Sequence, residues 1–236
     1  MAKQTGALDP YLAPAYGIPE ASALLHVPRT TLRAWVKGQG YDDSQRKRFV
    51  TFVPVLSLPP SKGQALSFTN LVEAHVLEAL RRRYKIPLPK TRKTIEYLQK
   101  EFGSKHPLAE YRFQTDGIDL FLKHNKELIN VSSDGQLAVE RILGSFLERI
   151  EWENGHAIRF YPFLRRPSGQ ESEPRLIVID PRISFGRPAL EKSWIPVDAI
   201  LDRFRGGETT KSLSADYREP EERIEEVIRH FYQRAA

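Results

Sequence analysis

The sequence predicts an α+β fold, mainly helical, in three parts. These are an N-terminal winged helix-turn-helix over 15–105, a small α+β middle unit with a β-hairpin over 106–165, and a C-terminal three-helix, homeodomain-like domain over 175–236. Three observations lead there. Apolar residues recur at helical spacing on both sides of a tight turn near residue 27. The period turns to alternation between about 111 and 122, and three short helical patterns with stop signals close the chain. With 236 residues and 40% apolar content a buried core is available, and there is no cysteine for a disulfide, a thiolate metal site or a Cys nucleophile.

In the first part, Ile18, Ala21, Leu24 and Leu25 fall on one helical face, and Pro19 suits a first turn. His26-Val27-Pro28 interrupts the pattern with Val27 directed inward. A second short helix follows, with Leu32, Trp35 and Val36 on its apolar face, and Gly38 and Gly40 end it. Arg46-Lys47-Arg48 then leads into the β-rich run Phe49–Val53, which suits a wing. After a loop with Pro59, Pro60 and Gly63, a strong helix spans about Asn70 to Tyr84. Another runs from about Lys90 to Phe102, beyond the Pro87/Pro89 break.

In the middle, Tyr111–Gln114 and Ile118–Leu122 flank Asp116-Gly117, which predicts a hairpin. Glu127–Ser132 is a further strand candidate stopped by Asp134-Gly135. A helix from about Leu137 to Ile150 and a strand at His156–Phe160 follow, and Arg165–Pro174 has linker composition. The last part opens on the strand Leu176–Ile179, ended by Asp180-Pro181. Helices are expected at Val197–Arg205, closed by Gly206-Gly207, at Lys211–Asp216 behind the caps Thr209 and Thr210, and at Pro220–Arg234.

The net charge of +6 is unevenly placed. Residues 1–105 hold 17 Lys and Arg against 8 Asp and Glu, whereas 106–174 hold 8 against 11 and 175–236 hold 11 of each. A concentrated basic surface favours polyanions through counterion release. A helix-turn-helix reads DNA by placing its second helix in the major groove. The outward candidates there are Arg29, Thr30, Arg33 and Lys37, with Arg29 expected at a base edge because a guanidinium can bond guanine at two acceptors. Thr30 suits a thymine methyl or a phosphate. Thr31 and Arg33 suit the backbone, and Arg46, Lys47 and Arg48 on the wing suit phosphates or the minor groove. One short helix reads few base pairs, so a homodimer on paired half-sites is expected.

Residues 16–37, notably Glu20-Ala21 and Thr31-Leu32-Arg33, resemble the N-terminal helix-turn-helix of MerR-like regulators, although Pro28 stands where Ser or Thr is usual. Residues Ile179-Asp180-Pro181-Arg182-Ile183-Ser184-Phe185-Gly186-Arg187-Pro188, Trp194–Val197, Ile200–Phe204 and Gly206-Gly207-Glu208 resemble a domain of unknown function found in VapB-type antitoxins. The two ends together imply an antitoxin of a type II toxin–antitoxin module that represses its own operon and neutralises a PIN-like ribonuclease toxin. On that resemblance Arg182, Arg187 and Trp194 are the toxin-contact candidates, an arginine there pairing with an acidic nuclease centre. For Arg182 and Arg187 the plainer role is to satisfy local backbone carbonyls. The alternative function is a stand-alone MerR-like or excisionase-type regulator.

The chain is expected not to be an enzyme. Asp180, Asp198, Asp202 and Asp216 could suggest a metal-dependent nuclease, yet each has a simpler place in a turn or helix. The histidines at 26, 75, 106, 124, 156 and 230 show no i, i+4 pair. There is no nucleophile elbow and no phosphate-cradling glycine loop, so no metal and no cofactor is expected. The acidic start of the last helix, Glu219 to Glu226, points to a protein interface rather than a groove. No window approaches the roughly 20 apolar residues of a membrane span, and Met1–Ala15 does not read as a secretory signal, so the expected setting is the cytoplasm.

Overall fold

The computed structural model describes residues 9–43, 48–61, 65–84, 88–124, 143–165 and 173–232. The chain is α+β and mainly helical, and it divides into two compact units, 1–157 and 158–236. Among the described residues no helix is long and apolar enough to cross a membrane.

The first unit starts with β1 (Tyr16–Gly17), which pairs antiparallel with β4 (Ala65–Leu66). Between them lies the helix-turn-helix. Helix α1 (Ile18–Leu25) carries Pro19 in its first turn and buries Ile18, Ala21, Leu24 and Leu25. His26 ends it at a left-handed φ of 54°, and the Ser22 hydroxyl donates to the Val27 carbonyl at 2.6 Å, closing the turn. Helix α2 (Arg29–Lys37) follows at once, with Val27 buried between the two and Gly38 at its end at a φ of 77°. Gly40 does not take part in that stop. It lies in β2 (Gln39–Asp43), which pairs with β3 (Arg48–Phe52) to make the wing. The chain then returns to the base of α2, where the Trp35 carbonyl accepts hydrogen bonds from the amides of Val55 and Leu56.

Helix α3 (Phe68–Tyr84) is the spine of this unit, with Phe68, Leu71, Val72, Val76, Leu77 and Leu80 all fully buried. A helix apolar on nearly every side must sit inside other elements. Its start is held reciprocally: the Asn70 amide donates to the Ser67 hydroxyl, and the Ser67 amide donates to the Asn70 side-chain oxygen. Helix α4 (Leu88–Phe102) takes Pro89 within its first turn.

Two expectations for the middle region need correction. The hairpin at Asp116-Gly117 does not form; the chain is helical from 111 onward, through a wide turn at Phe113–Gly117 into α5 (Ile118–His124). Phe113, Gly117 and Phe121 recur every four residues and all are buried, so helical period wins over local alternation. Gly117 serves close packing: a Cβ there would lie 2.6 Å from a ring carbon of Phe113. The helix expected over 137–150 also ends early. Within it 143–147 is helical (α6), whereas Ile150 begins β5 (Ile150–Glu153). The hairpin of this region is β5 with β6 (His156–Phe160), turned by Asn154 and Gly155 at φ values of 50° and 83°. Asn-Gly with both φ positive suits the tight turn that matches strand twist. The strand expected at Glu127–Ser132, its Asp134-Gly135 stop and most of the expected linker lie outside the described residues.

In the second unit, β7 (Ile177–Val178) pairs antiparallel with β8 (Ala189–Leu190), and Phe160 bridges to Ile179. Helices α7 (Val197–Arg205), α8 (Thr210–Tyr217) and α9 (Glu221–Phe231) supply the expected three-helix domain. The Thr209 side chain caps α8 by accepting from the Ser212 amide. The core joins Ile177 and Leu190 of the small sheet to Val197, Ile200, Leu213, Ile224 and Val227 of the helices.

Candidate nucleic-acid interface

Helix α2 divides cleanly between core and solvent. Leu32, Trp35 and Val36 are buried, whereas Arg29, Thr30, Arg33 and Lys37 are exposed and Thr31 is half-buried. At about 100° per residue, Arg29, Arg33, Lys37 and Thr30 follow one another round a single arc of the helix. The segment Arg29–Lys37 contains no acidic residue, so this arc carries three cations and no opposing charge. Pro28, at the N-cap, gives the helix no side-chain cap. Arg48 opens β3, while Arg46 and Lys47 fall outside the described residues.

The arc is braced from behind. Trp35 is 1% exposed, and the guanidinium of Arg81, from α3, lies over its ring at 5.9 Å from the centroid. The sequence offered α3 as a core helix and, with the middle unit, as a candidate dimer interface, and gave it no DNA contact. The run Arg81-Arg82-Arg83 at the end of an apolar helix was the available signal, since helical period turns one of three neighbours back toward the body of the fold.

In the second unit the three candidates are separated by role. The Arg182 side chain bonds Asp180 through both Nε and an Nη, at 3.1 and 2.9 Å, and Arg159 reaches the same carboxylate at 3.0 Å. Burial alone would raise the Asp180 pKa, and the bonds from Arg182 and Arg159 outweigh it and hold it below the ordinary carboxylate value. Arg159 also lies over the Trp194 ring, 5.2 Å from its centroid. Arg182 and Trp194 therefore share a local cluster. Arg187 is elsewhere: it donates to Asp198 at 2.7 Å and to the Ser184 carbonyl at 3.3 Å. The remaining aspartates also meet arginines, Asp202 with Arg205 and Asp216 with Arg203. Among the described residues no group of three or more His, Asp or Glu side chains could hold a metal ion.

The sequence did not single out Phe185. It is 90% exposed and sits with Ser184 and Gly186 in a turn where all three have positive φ. Amide donation from Gly186 to Ile183 and from Arg187 to Ser184 holds the turn. An aromatic side chain so exposed on an ordered turn is the type of group that anchors protein interfaces.

Two family profiles match parts of the chain. Residues 14–95 match a family described as a putative DNA-binding HTH domain, and residues 177–230 match a family described as a protein of unknown function. Helices α1 and α2, the wing and α3 thus fall within a helix-turn-helix domain. Among curated proteins, one from Mycobacterium tuberculosis named "Putative antitoxin VapB45" is 27% identical over 218 residues, covering 86% of this chain and 88% of that protein. The uncharacterized protein Rv2308 of the same organism is 25% identical over 221 residues, covering 90% of this chain and 88% of its own. Among solved structures, the crystal structure of Rv2018 from Mycobacterium tuberculosis aligns with a TM-score of 0.66 at 27% identity, over 92% of this chain and 98% of that one.

Proposed function

We propose that this chain is the DNA-binding antitoxin of a type II toxin–antitoxin module. The carrying observation is the exposed arc of Arg29, Arg33, Lys37 and Thr30, with three cations and no acidic residue, on the second helix of a helix-turn-helix. Entered into a major groove, that arc sets Arg29 at a base edge and Arg33 and Lys37 at phosphates, with Thr30 and Thr31 beside them. The wing cations Arg46, Lys47 and Arg48 add phosphate contacts. The likeness to the relative named as an antitoxin runs through both units, which supports one function for the whole chain. As such an antitoxin the chain is a non-enzymatic regulator that dimerises on paired half-sites and represses its own operon.

Its second unit carries the toxin contact, and the partner is a PIN-like ribonuclease with an acidic centre. Phe185 is the apolar anchor and Arg187 the neighbouring cation; Arg182 and Trp194 shape the segment behind them. Arg187 reaches the partner by exchanging Asp198 for a toxin carboxylate, an exposed pair being cheap to break.

DNA binding is tested by fluorescence anisotropy on the duplex upstream of the chain's own gene. The Arg29→Ala variant is expected to lose about 1–3 kcal/mol of discrimination between that duplex and a scrambled one. Equal loss on both duplexes would move Arg29 from base to phosphate, and no change on either would remove it from the interface.

A further inference from the structure

Beside α2 lies an open cleft of about 480 Å³, whose lining includes Thr30, Thr31, Arg33, Trp35 and Arg81. The side chains lining it include the Thr30 and Thr31 hydroxyls and the Arg33 and Arg81 guanidinium groups, with no carboxylate among the described residues. One Nη of Arg81 is buried and has no hydrogen-bond partner among the described residues. A buried donor left unsatisfied is unusual and asks for an acceptor from outside. Burial also depresses the Arg81 pKa, and the charge of Glu78, one turn earlier on α3, opposes that effect. A guanidinium nevertheless stays charged in this setting.

We propose that Arg81, with the hydroxyls of Thr30 and Thr31, forms a binding cleft for one backbone phosphate of the duplex that α2 enters. This rests on the DNA-binding reading of α2 and adds to it a contact from outside the helix-turn-helix. Thr30 forms the edge of the outward arc and Thr31 lies beyond it, past Ala34 and Gly38, so a phosphate strand passing that edge meets both hydroxyls. Arginine suits the role because its planar fork matches two phosphate oxygens at once. Its position is prepared in advance: α3 is packed in the core and the Trp35 ring faces the guanidinium, so little freedom is lost on binding. The contact carries no sequence information.

The test compares wild type, Arg81→Met and Arg81→Lys by anisotropy over a range of KCl, on a duplex selected by the wild type from a random pool and on a scrambled duplex. Methionine keeps an apolar stem against Trp35 and removes the charge. Arg81→Met is expected to weaken both duplexes by the same factor, about tenfold. It is also expected to lower the salt slope by about one charge equivalent, while Arg81→Lys keeps the slope. Wild-type binding with an unchanged slope and unchanged affinities in Arg81→Met would overturn the cleft and leave the helix-turn-helix reading intact. Loss confined to the selected duplex, at an unchanged slope, would also overturn it, since that is the mark of a displaced recognition helix. A wild type that binds neither duplex at any salt would remove the DNA-binding reading and the cleft together.

Discussion

His75 couples the stability of the first unit to pH. It is fully buried on α3, and its Nε2 donates to the Phe146 carbonyl at 2.9 Å when the ring is neutral. Burial drives its pKa down to about 3, with Phe146 acting against the shift and the charge of Arg149 adding to it. A depressed histidine pKa means that the unfolded chain binds the proton first. Stability is then full above the unfolded value near 6.5 and falls as pH drops from there toward 3. His106 acts with the opposite sign. Burial lowers its pKa, and its 2.9 Å pairing with Glu73 outweighs that and raises it, so its contribution is full below the unfolded value and lost as pH rises through the folded one. Urea unfolding between pH 7 and 4.5 is expected to show a loss of about 2 kcal/mol that His75→Gln abolishes. An equally steep loss in the variant would assign the effect to other groups.

Among the elements, α5 and its entry turn show best what the sequence concealed. Asp116-Gly117 between alternating residues has the form of a tight turn, but the spacing of Phe113, Gly117 and Phe121 has the form of a helix face. Local preference is weak for stretches this short, and burial of two phenylalanines decides between them. The test is Gly117→Ala. On helix propensity alone it would gain about 1 kcal/mol. The added Cβ, however, meets Phe113 at 2.6, 3.1 and 3.2 Å, and that ring is fully buried. Overpacking is therefore expected to win, at a net cost of about 1–2 kcal/mol and a fall of several degrees in Tm by calorimetry. A rise in Tm would mean that the ring yields freely. By contrast α1, α2, α3, α4 and the three C-terminal helices were legible, because each has a one-sided or continuous apolar pattern bounded by Pro, Gly or Thr.

For the whole molecule, the proposal requires two partners held by two units. Sedimentation of the full chain is expected to give a dimer at micromolar concentration. Co-expression with the product of the neighbouring gene is expected to yield a complex that Phe185→Ala and Arg187→Ala weaken while operator binding persists. Failure of Phe185→Ala to loosen that complex would take the exposed turn out of the interface.

The sequence by itself determined the mainly helical α+β class, the helix-turn-helix with its wing, the outward cations of α2 and the stop of α7 at Gly206. Those follow from period and punctuation within about ten residues, where the chain's own geometry is sufficient. Tertiary structure alone decided three things: that 111–124 is helical, that Arg81 reaches the flank of α2 with a donor that has no partner among the described residues, and that Phe185 stands in solvent. Each depends on what lies opposite a side chain in space, and that partner is set by packing between residues distant along the chain.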